Sequence, residues 1–282
     1  MANKQFKYLV GDFETTVYKG QVNTEVWASA SVELYSEDVN IFHSIGEQFD
    51  YFLSLDCNII CYYHNLKFDG AFWLSYLLID LGYEQAGIQK SEKANDFEWI
   101  DEKDMKNKTF QYSISNMGQW YRVIIKVNEH IIELRDSLKL LPFSVKHIGE
   151  SFATKHKKLD MEYTGFRYPG CEITDDEKNY IANDVMVVKE ALEIMFDEGH
   201  KKLTIGSCCL INSRSVGLSS TKTKESKPIF NSSASSRRLV ALSCQLIRIA
   251  TKSEGCSSIS ARFCQTSSTS CKLFLEHIAN IT

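Results

Sequence analysis

The feature that most restricts the fold open to this chain is a change of text near residue 210. After Leu210 the 282-residue sequence contains no Asp, Tyr, Trp or Met. Ser-rich text follows, as in Ser232-Ser233-Ala234-Ser235-Ser236-Arg237-Arg238 and Ser267-Ser268-Thr269-Ser270-Cys271. Ten Lys/Arg stand against three Glu there, a charge of about +7 within a total of -4, which leaves about -11 on residues 1–210. Stretches 239–250 and 273–281 have the length of short helices, but few large apolar residues are available to bury them, so the ordering entropy goes unopposed. A folded core therefore has to be built from residues 1–210, and 211–282 reads as a Ser/Cys/basic-rich tail, disordered and compositionally foreign.

The whole chain is 44% apolar and 24% charged, ordinary for a globular protein. No apolar run reaches the length that spans a bilayer, and Met1-Ala2-Asn3-Lys4-Gln5 leads into a strand without a signal-peptide core. The expectation is an intracellular monomer with no membrane contact. None of the nine cysteines forms a Cys-x-x-Cys pair, so neither a disulfide framework nor a structural zinc site is indicated. Cys57 and Cys61 lie in an apolar run and read as core thiols.

Within residues 1–210, strand and helix periods mix. Phe6 to Val10 is a short apolar run with the character of a buried strand, and Glu25 to Glu33 follows a turn as its antiparallel partner. Ile45 to Leu55 has helical spacing, Asn58 to Tyr63 is a buried strand, and Phe68 to Leu81 has the period of a helix. Residues 84–108 are polar and read as an exposed insertion. Phe110 to Ser115, Trp120 to Val127 and His130 to Asp136 are strand-like, and Val145 to Phe152 reads as a helix. The helix expected from Thr174 to Gly199 opens with a capping pattern, Thr174 answered by Glu177. The class is α/β, a mixed sheet flanked by helices in one domain over residues 1–210.

Four acids stand out. Asp12 and Glu14 are two residues apart at the end of the first strand, so they share one side of it. Such a pair repels itself, and a divalent cation between the carboxylates relieves the repulsion. Asp69 lies at the start of a helix after a buried strand; Asp184 lies on a helix face with Tyr180, four residues earlier. Singly, each has an ordinary reading: a solvated turn for the pair, a helix-dipole charge for Asp69, an exposed position for Asp184, a core aromatic for Tyr180.

Taken together they resemble a known family. Asp12-Phe13-Glu14-Thr15, then Asn65-x-x-Phe68-Asp69, then Tyr180-x-x-x-Asp184 match in order the three exonuclease motifs of proofreading DNA polymerases. The segments from His64 to Phe72, Met117-Gly118-Gln119-Trp120-Tyr121 and Asp136 to Phe143 are similar to the protein-primed family B DNA polymerases of phi29-like podoviruses. The resemblance runs from about residue 6 to Leu210. It implies a ribonuclease H-like (DnaQ-like) 3′–5′ exonuclease domain acting on the 3′ end of single-stranded DNA, in the cytoplasm of an infected bacterium. It implies two Mg²⁺ ions, with Mn²⁺ as an alternative, held by Asp12, Glu14, Asp69 and Asp184. Hard cations take carboxylate oxygens, and a pair about 4 Å apart activates water and neutralises a leaving oxygen. Tyr180 would orient the attacking water and Lys158 would assist; alternatively Lys158 is a solvated member of a basic run with Lys155 and Lys157. By the same resemblance Thr15, Tyr62, His64, Asn65, Phe68, Phe72, Ser137, Leu138 and Tyr163 would hold the DNA strand, with Phe68 the more exposed of its pair with Phe72. The charge of about -11 argues against a large duplex-binding surface and for a grip through metals and stacking.

The family's polymerase motifs, of the Asp-x-x-Ser-Leu-Tyr-Pro and Tyr-x-Asp-Thr-Asp kind, do not occur, and no Asp or Tyr follows Asp197 to build them. The expectation is a polymerase gene truncated by a frameshift near residue 211, the rival being a genuine basic tail. No nucleotidyl transfer is expected of this chain itself. Two other functions stay open: a stand-alone exoribonuclease with the same four acids, and an inert fragment that binds DNA ends or a phage terminal protein.

Overall fold

The computed structural model describes residues 6–209 apart from 17, 19–20, 22, 92–96, 162 and 164–165; the tail at 211–282 lies outside the described residues. The chain opens with three strands, β1 (Phe6–Thr15), β2 (Val26–Glu33) and β3 (Val39–Phe42), followed by helix α1 (Ile45–Ser54) and strand β4 (Asn58–Tyr63). Helix α2 (Leu66–Ser75) continues into a π-helical turn at Tyr76–Asp80. Short strands β5 (Glu84–Gln85), β6 (Gly87–Gln89) and β7 (Phe97–Trp99) precede the long β8 (Thr109–Ile114), β9 (Trp120–Val127) and β10 (His130–Asp136). A 3-10 turn at Ser137–Lys139 leads to α3 (Val145–Ser151) and the 23-residue α4 (Asp175–Asp197).

Eight of these strands form one sheet in the order β3-β2-β1-β4-β10-β9-β8-β5. β1, β2 and β3 make an antiparallel meander, β4 lies parallel to β1, and β10 lies parallel to β4. Parallel strands are covered on both faces, which is why β4 is apolar after Asn58 and five of its six residues are buried. Strand alternation divides the core in two. Leu9, Phe13, Ile59, Cys61 and Tyr63 turn toward α1 and α2, where Phe49, Phe52 and Trp73 meet them. Val10, Ile60 and Tyr62 turn to the other face and meet Ile181, Val185 and Phe196 of α4. At Gly11 a Cβ would lie 2.7 Å from the Tyr63 ring, so the tight β1–β4 stack needs glycine there. No described helix is long and apolar enough to cross a membrane.

The predicted capping box is present: Thr174 accepts the Glu177 N–H and the Glu177 carboxylate accepts the Thr174 N–H at 2.9 Å. Three expectations shift. β1 runs past the expected Val10 to Thr15, so Asp12 and Glu14 lie within its ladder. α2 starts at Leu66, two residues before the predicted Phe68, because a distant carboxylate caps it. Residues 84–108 are not wholly an exposed insertion: β5 pairs with β8 at the sheet edge, and Ala86 and Met105 bury against Ile124. Those few apolar contacts are too sparse to show as a period in polar text. β3, half-buried at the opposite edge, likewise lacks the length and alternation that mark a strand.

Candidate active site

Asp12 and Glu14 share strand parity with Val10, so they project on the α4 side of β1. α4 brings Asp184 down onto them, and one carboxylate oxygen from each of Asp12, Glu14 and Asp184 lies within 4.8 Å of the others. Asp69 comes from α2, on the other face, and stands outside that trio, although its charge acts on Asp12. Asp69 and Asp184 are buried, and the Oδ1 atom of each has no hydrogen-bond partner.

The electrostatics are those of crowded, desolvated anions. Burial, then Asp69, Glu14 and Asp184, pushes the Asp12 carboxyl well above the usual range. Burial raises Glu14 to about 7 against the opposing hydrogen bond from Tyr163, with Asp184 adding repulsion. Burial also raises Asp69, and it raises Asp184 despite the Lys158 ammonium beside it. An all-oxygen donor set, like charges at close range and two orphaned buried oxygens suit hard divalent cations.

Lys158 is not a solvated lysine. Its Nζ donates to the Tyr180 hydroxyl at 2.8 Å, pairs with Asp184 and lies 4.6 Å from the Tyr180 ring centre. Burial works against the ammonium, but the bonds to Asp184 and Tyr180 outweigh it and hold Lys158 above the usual lysine range. The segment leading to Lys158 is fastened to a second stripe of α4. Glu190 Oε2 accepts the backbone N–H groups of Lys155 (2.6 Å) and His156 (3.2 Å), and its Oε1 lies 2.5 Å from His156 Nδ1. The Asn183 amide donates to the Lys157 carbonyl. On the other side Tyr163 donates to Glu14 at 2.6 Å, its ring set edge-on to Trp27 and Tyr180.

The residues expected to hold a strand divide into two groups. Asn65 is exposed in a left-handed conformation (φ 77°) with no capping bond from its side chain. Phe68 is 45% exposed, while Phe72 is half-buried, edge-on to Phe68 and Phe13. Thr15, Leu138 and Tyr163 are partly exposed. Tyr62 and Ser137, by contrast, are fully buried and present no surface to a nucleic acid, against expectation. Strand alternation sends Tyr62 under α4, where it meets Phe196 and accepts from Arg135 at 3.3 Å. Ser137 lies beneath the turn after β4, its Oγ 3.1 Å from the Tyr63 carbonyl, and its single O–H serves that carbonyl or His64 Nδ1. His64 uses both ring nitrogens internally. Nε2 must carry the proton, being 2.7 Å from the Phe143 carbonyl, which leaves Nδ1 facing Ser137 Oγ at 2.9 Å.

Two organisers of the site have no signal that a motif reading would catch. One is Glu190. The other is Asp136, buried at the end of β10, whose Oδ1 accepts from the backbone N–H groups of Asn65 (3.2 Å), Leu66 (3.3 Å) and Leu138 (3.1 Å). A carboxylate ending a strand, as at Asp12, was the available hint; its Asn65 and Leu66 partners lie 71 and 70 residues away.

Residues 56–170 match the family described as DNA polymerase type B, organellar and viral. The DNA polymerase of Bacillus phage PZA is 36% identical over 204 residues, covering 70% of this chain and 32% of the relative. That of Bacillus phage phi29 is 34% identical over 227 residues, covering 78% and 35%. The solved structure of phi29 DNA polymerase complexed with single-stranded DNA superimposes with a TM-score of 0.62 at 30% identity, covering 76% of this chain and 35% of the other. The chain thus spans about a third of the length of the curated relatives it matches.

Proposed function

We propose that this chain, which is related through its N-terminal region to the phage type B DNA polymerases, removes nucleotides from the 3′ end of single-stranded DNA. The observation that carries the reading is the meeting of Asp12, Glu14 and Asp184 within 4.8 Å, with Lys158 and Tyr180 bonded beside them. The strand order β3-β2-β1-β4-β10, an antiparallel meander followed by two parallel strands, supports a ribonuclease H-like fold for the domain. The phi29 polymerase structure containing single-stranded DNA supports the choice of polymer.

Asp12, Glu14, Asp69 and Asp184 would hold two divalent cations, Mg²⁺ or Mn²⁺. Such ions supply a water acidic enough to attack at neutral pH and a positive charge beside the leaving oxygen. The protein groups do the rest. Lys158 stays protonated and donates one hydrogen bond to the Tyr180 oxygen, so the Tyr180 O–H is free to point at the attacking water. Tyr163 fixes one oxygen of Glu14 and leaves the other for the centre. Phe68 offers an exposed ring for the terminal base, with Phe72 behind it, and Asn65, Thr15 and Leu138 lie within the same reading as strand contacts.

The test is release of nucleotides from a 5′-labelled single strand by the full chain in Mg²⁺, beside RNA of the same sequence. The expected result is a ladder shortening from the 3′ end of DNA, abolished in the Asp12→Ala plus Asp69→Ala variant. Release that survives the double substitution, or that prefers RNA, sinks the assignment.

A further inference from the structure

Three exposed aromatic rings lie together outside the acidic centre. Tyr18, Phe166 and Tyr168 are 44%, 56% and 50% exposed. Phe166 stands edge-on to Tyr18 with ring centres 4.9 Å apart, and stacks on Tyr168 at 5.8 Å with an interplanar angle of 25°. Scattered surface aromatics are common, but three in a row with Phe166 touching both others are not explained by burial, since all three are exposed.

The array is anchored from beneath through Arg167. This residue is half-buried, while Phe166 and Tyr168 on either side of it are exposed. The Arg167 guanidinium pairs with Glu177, through Nε at 2.5 Å, and sits 5.8 Å from the Trp27 ring. Glu177 is the third-position partner of Thr174 in the α4 capping box, three residues before Tyr180. Both segments carrying the rings also leave directly from the site: Tyr18 is four residues beyond Glu14, and Phe166 is three beyond Tyr163, a reach of about 11 Å at most.

We propose that Tyr18, Phe166 and Tyr168 form a stacking platform for the bases of a single-stranded nucleic acid whose 3′ end occupies the acidic centre; the proposal rests on the nuclease reading of that centre. Every base has a π-face, so a rigid aromatic array binds without regard to sequence. Asp175 and Asp176, exposed in the first turn of α4, repel phosphates nearby, so the grip is on bases and its salt dependence is shallow.

The experiment measures binding by fluorescence anisotropy, with the full chain in EDTA so that no hydrolysis occurs. The probes are labelled thymidine oligonucleotides, one of three nucleotides and one of twelve. The expected result is that the longer probe binds more tightly. Phe166→Ala with Tyr168→Ala loses about ten-fold or more on the long probe and nothing on the short one, at an unchanged melting temperature. Phe166→Trp should retain affinity and show indole quenching on binding. The platform is overturned if the double variant binds the long probe as the wild type does, the outcome expected of a surface for a protein partner. It is equally overturned if the wild type binds neither probe. Ring-dependent binding without Mg²⁺-dependent release would leave the platform standing and remove the nuclease reading instead.

Discussion

Tyr163 donates its phenolic hydrogen to Glu14 across a 2.6 Å gap, joining positions 149 residues apart. The bond opposes the burial that pushes Glu14 up to about 7, because it favours the charged carboxylate. In Tyr163→Phe the ring keeps its edge contacts with Trp27 and Tyr180, and only the hydroxyl is lost. Glu14 then moves further up and protons compete better with cations for it. The expected outcome is a several-fold higher apparent Mg²⁺ requirement at pH 7, recovering by about pH 9, in nucleotide-release assays. An unchanged pH profile would place Tyr163 outside the centre's electrostatics.

The raised carboxyls also tie stability to pH. Glu14 binds protons more tightly folded, near pH 7, than unfolded, at its ordinary value of 4.5. Its contribution is therefore fully present below the unfolded value and is lost as pH rises through the folded one. Asp12, Asp69 and Asp184 are shifted in the same direction. In EDTA the melting temperature should fall from about pH 5 to about pH 8, and Mg²⁺ should restore more of it at the upper end than the lower. Glu14→Gln should flatten the dependence. Calorimetry across that range, with and without Mg²⁺, checks it; a stability that climbs with pH in EDTA rules the account out.

Glu190 controls Lys158 without touching the centre. Its carboxylate ties Lys155 and His156 to α4, and Lys158 follows two residues later against Tyr180 and Asp184. Glu190→Ala frees that segment, and small displacements of a positioned group cost roughly 10- to 100-fold in rate. The expected fall is in kcat with KM little changed. In a Lys158→Ala background the same substitution should add almost nothing, because its route runs through the lysine. A further full loss in that background would mark Glu190 as a general stability residue.

The acids were legible as a set through the resemblance of three ordered motifs, and local rules place only part of that set. Period two puts Asp12 with Glu14, and the turn of a helix puts Tyr180 with Asp184. The cap at Thr174 and Glu177 is equally local, and so were β2, β4 and the β8–β10 strands. What stayed hidden depends on contacts between distant segments. Tyr62 and Ser137 match the family text, yet strand parity and the turn after β10 bury them, and neither fact is visible until β4 has neighbours on both sides. Lys158 reads like Lys155 and Lys157 by charge alone; the resemblance singled it out, and the descent of α4 supplies the partners that set it apart.

Asp136 supplies the clearest case, and a last prediction. Its buried Oδ1 gathers the N–H groups of Asn65, Leu66 and Leu138, so it caps α2 and fixes the turn after β10 with one atom. A carboxylate at a helix N-terminus meets both the free N–H groups and the positive end of the dipole, and Lys139, 3.6 Å from the other oxygen, balances the charge. Asp136→Ala leaves three donors short of a partner in a closed site. Hydrogen bonds to charged groups contribute roughly 1.5–3 kcal/mol each, so a loss of a few kcal/mol in chemical denaturation is expected even after solvent re-enters. Because α2 carries Asp69 and Phe68, activity should fall more than stability does: nucleotide release should drop well over ten-fold at temperatures where the variant is still folded. Asp136→Asn keeps one acceptor oxygen and should recover part of both. If Asp136→Ala unfolds more easily but releases nucleotides at the wild-type rate while folded, then the cap supports the domain without positioning Asp69.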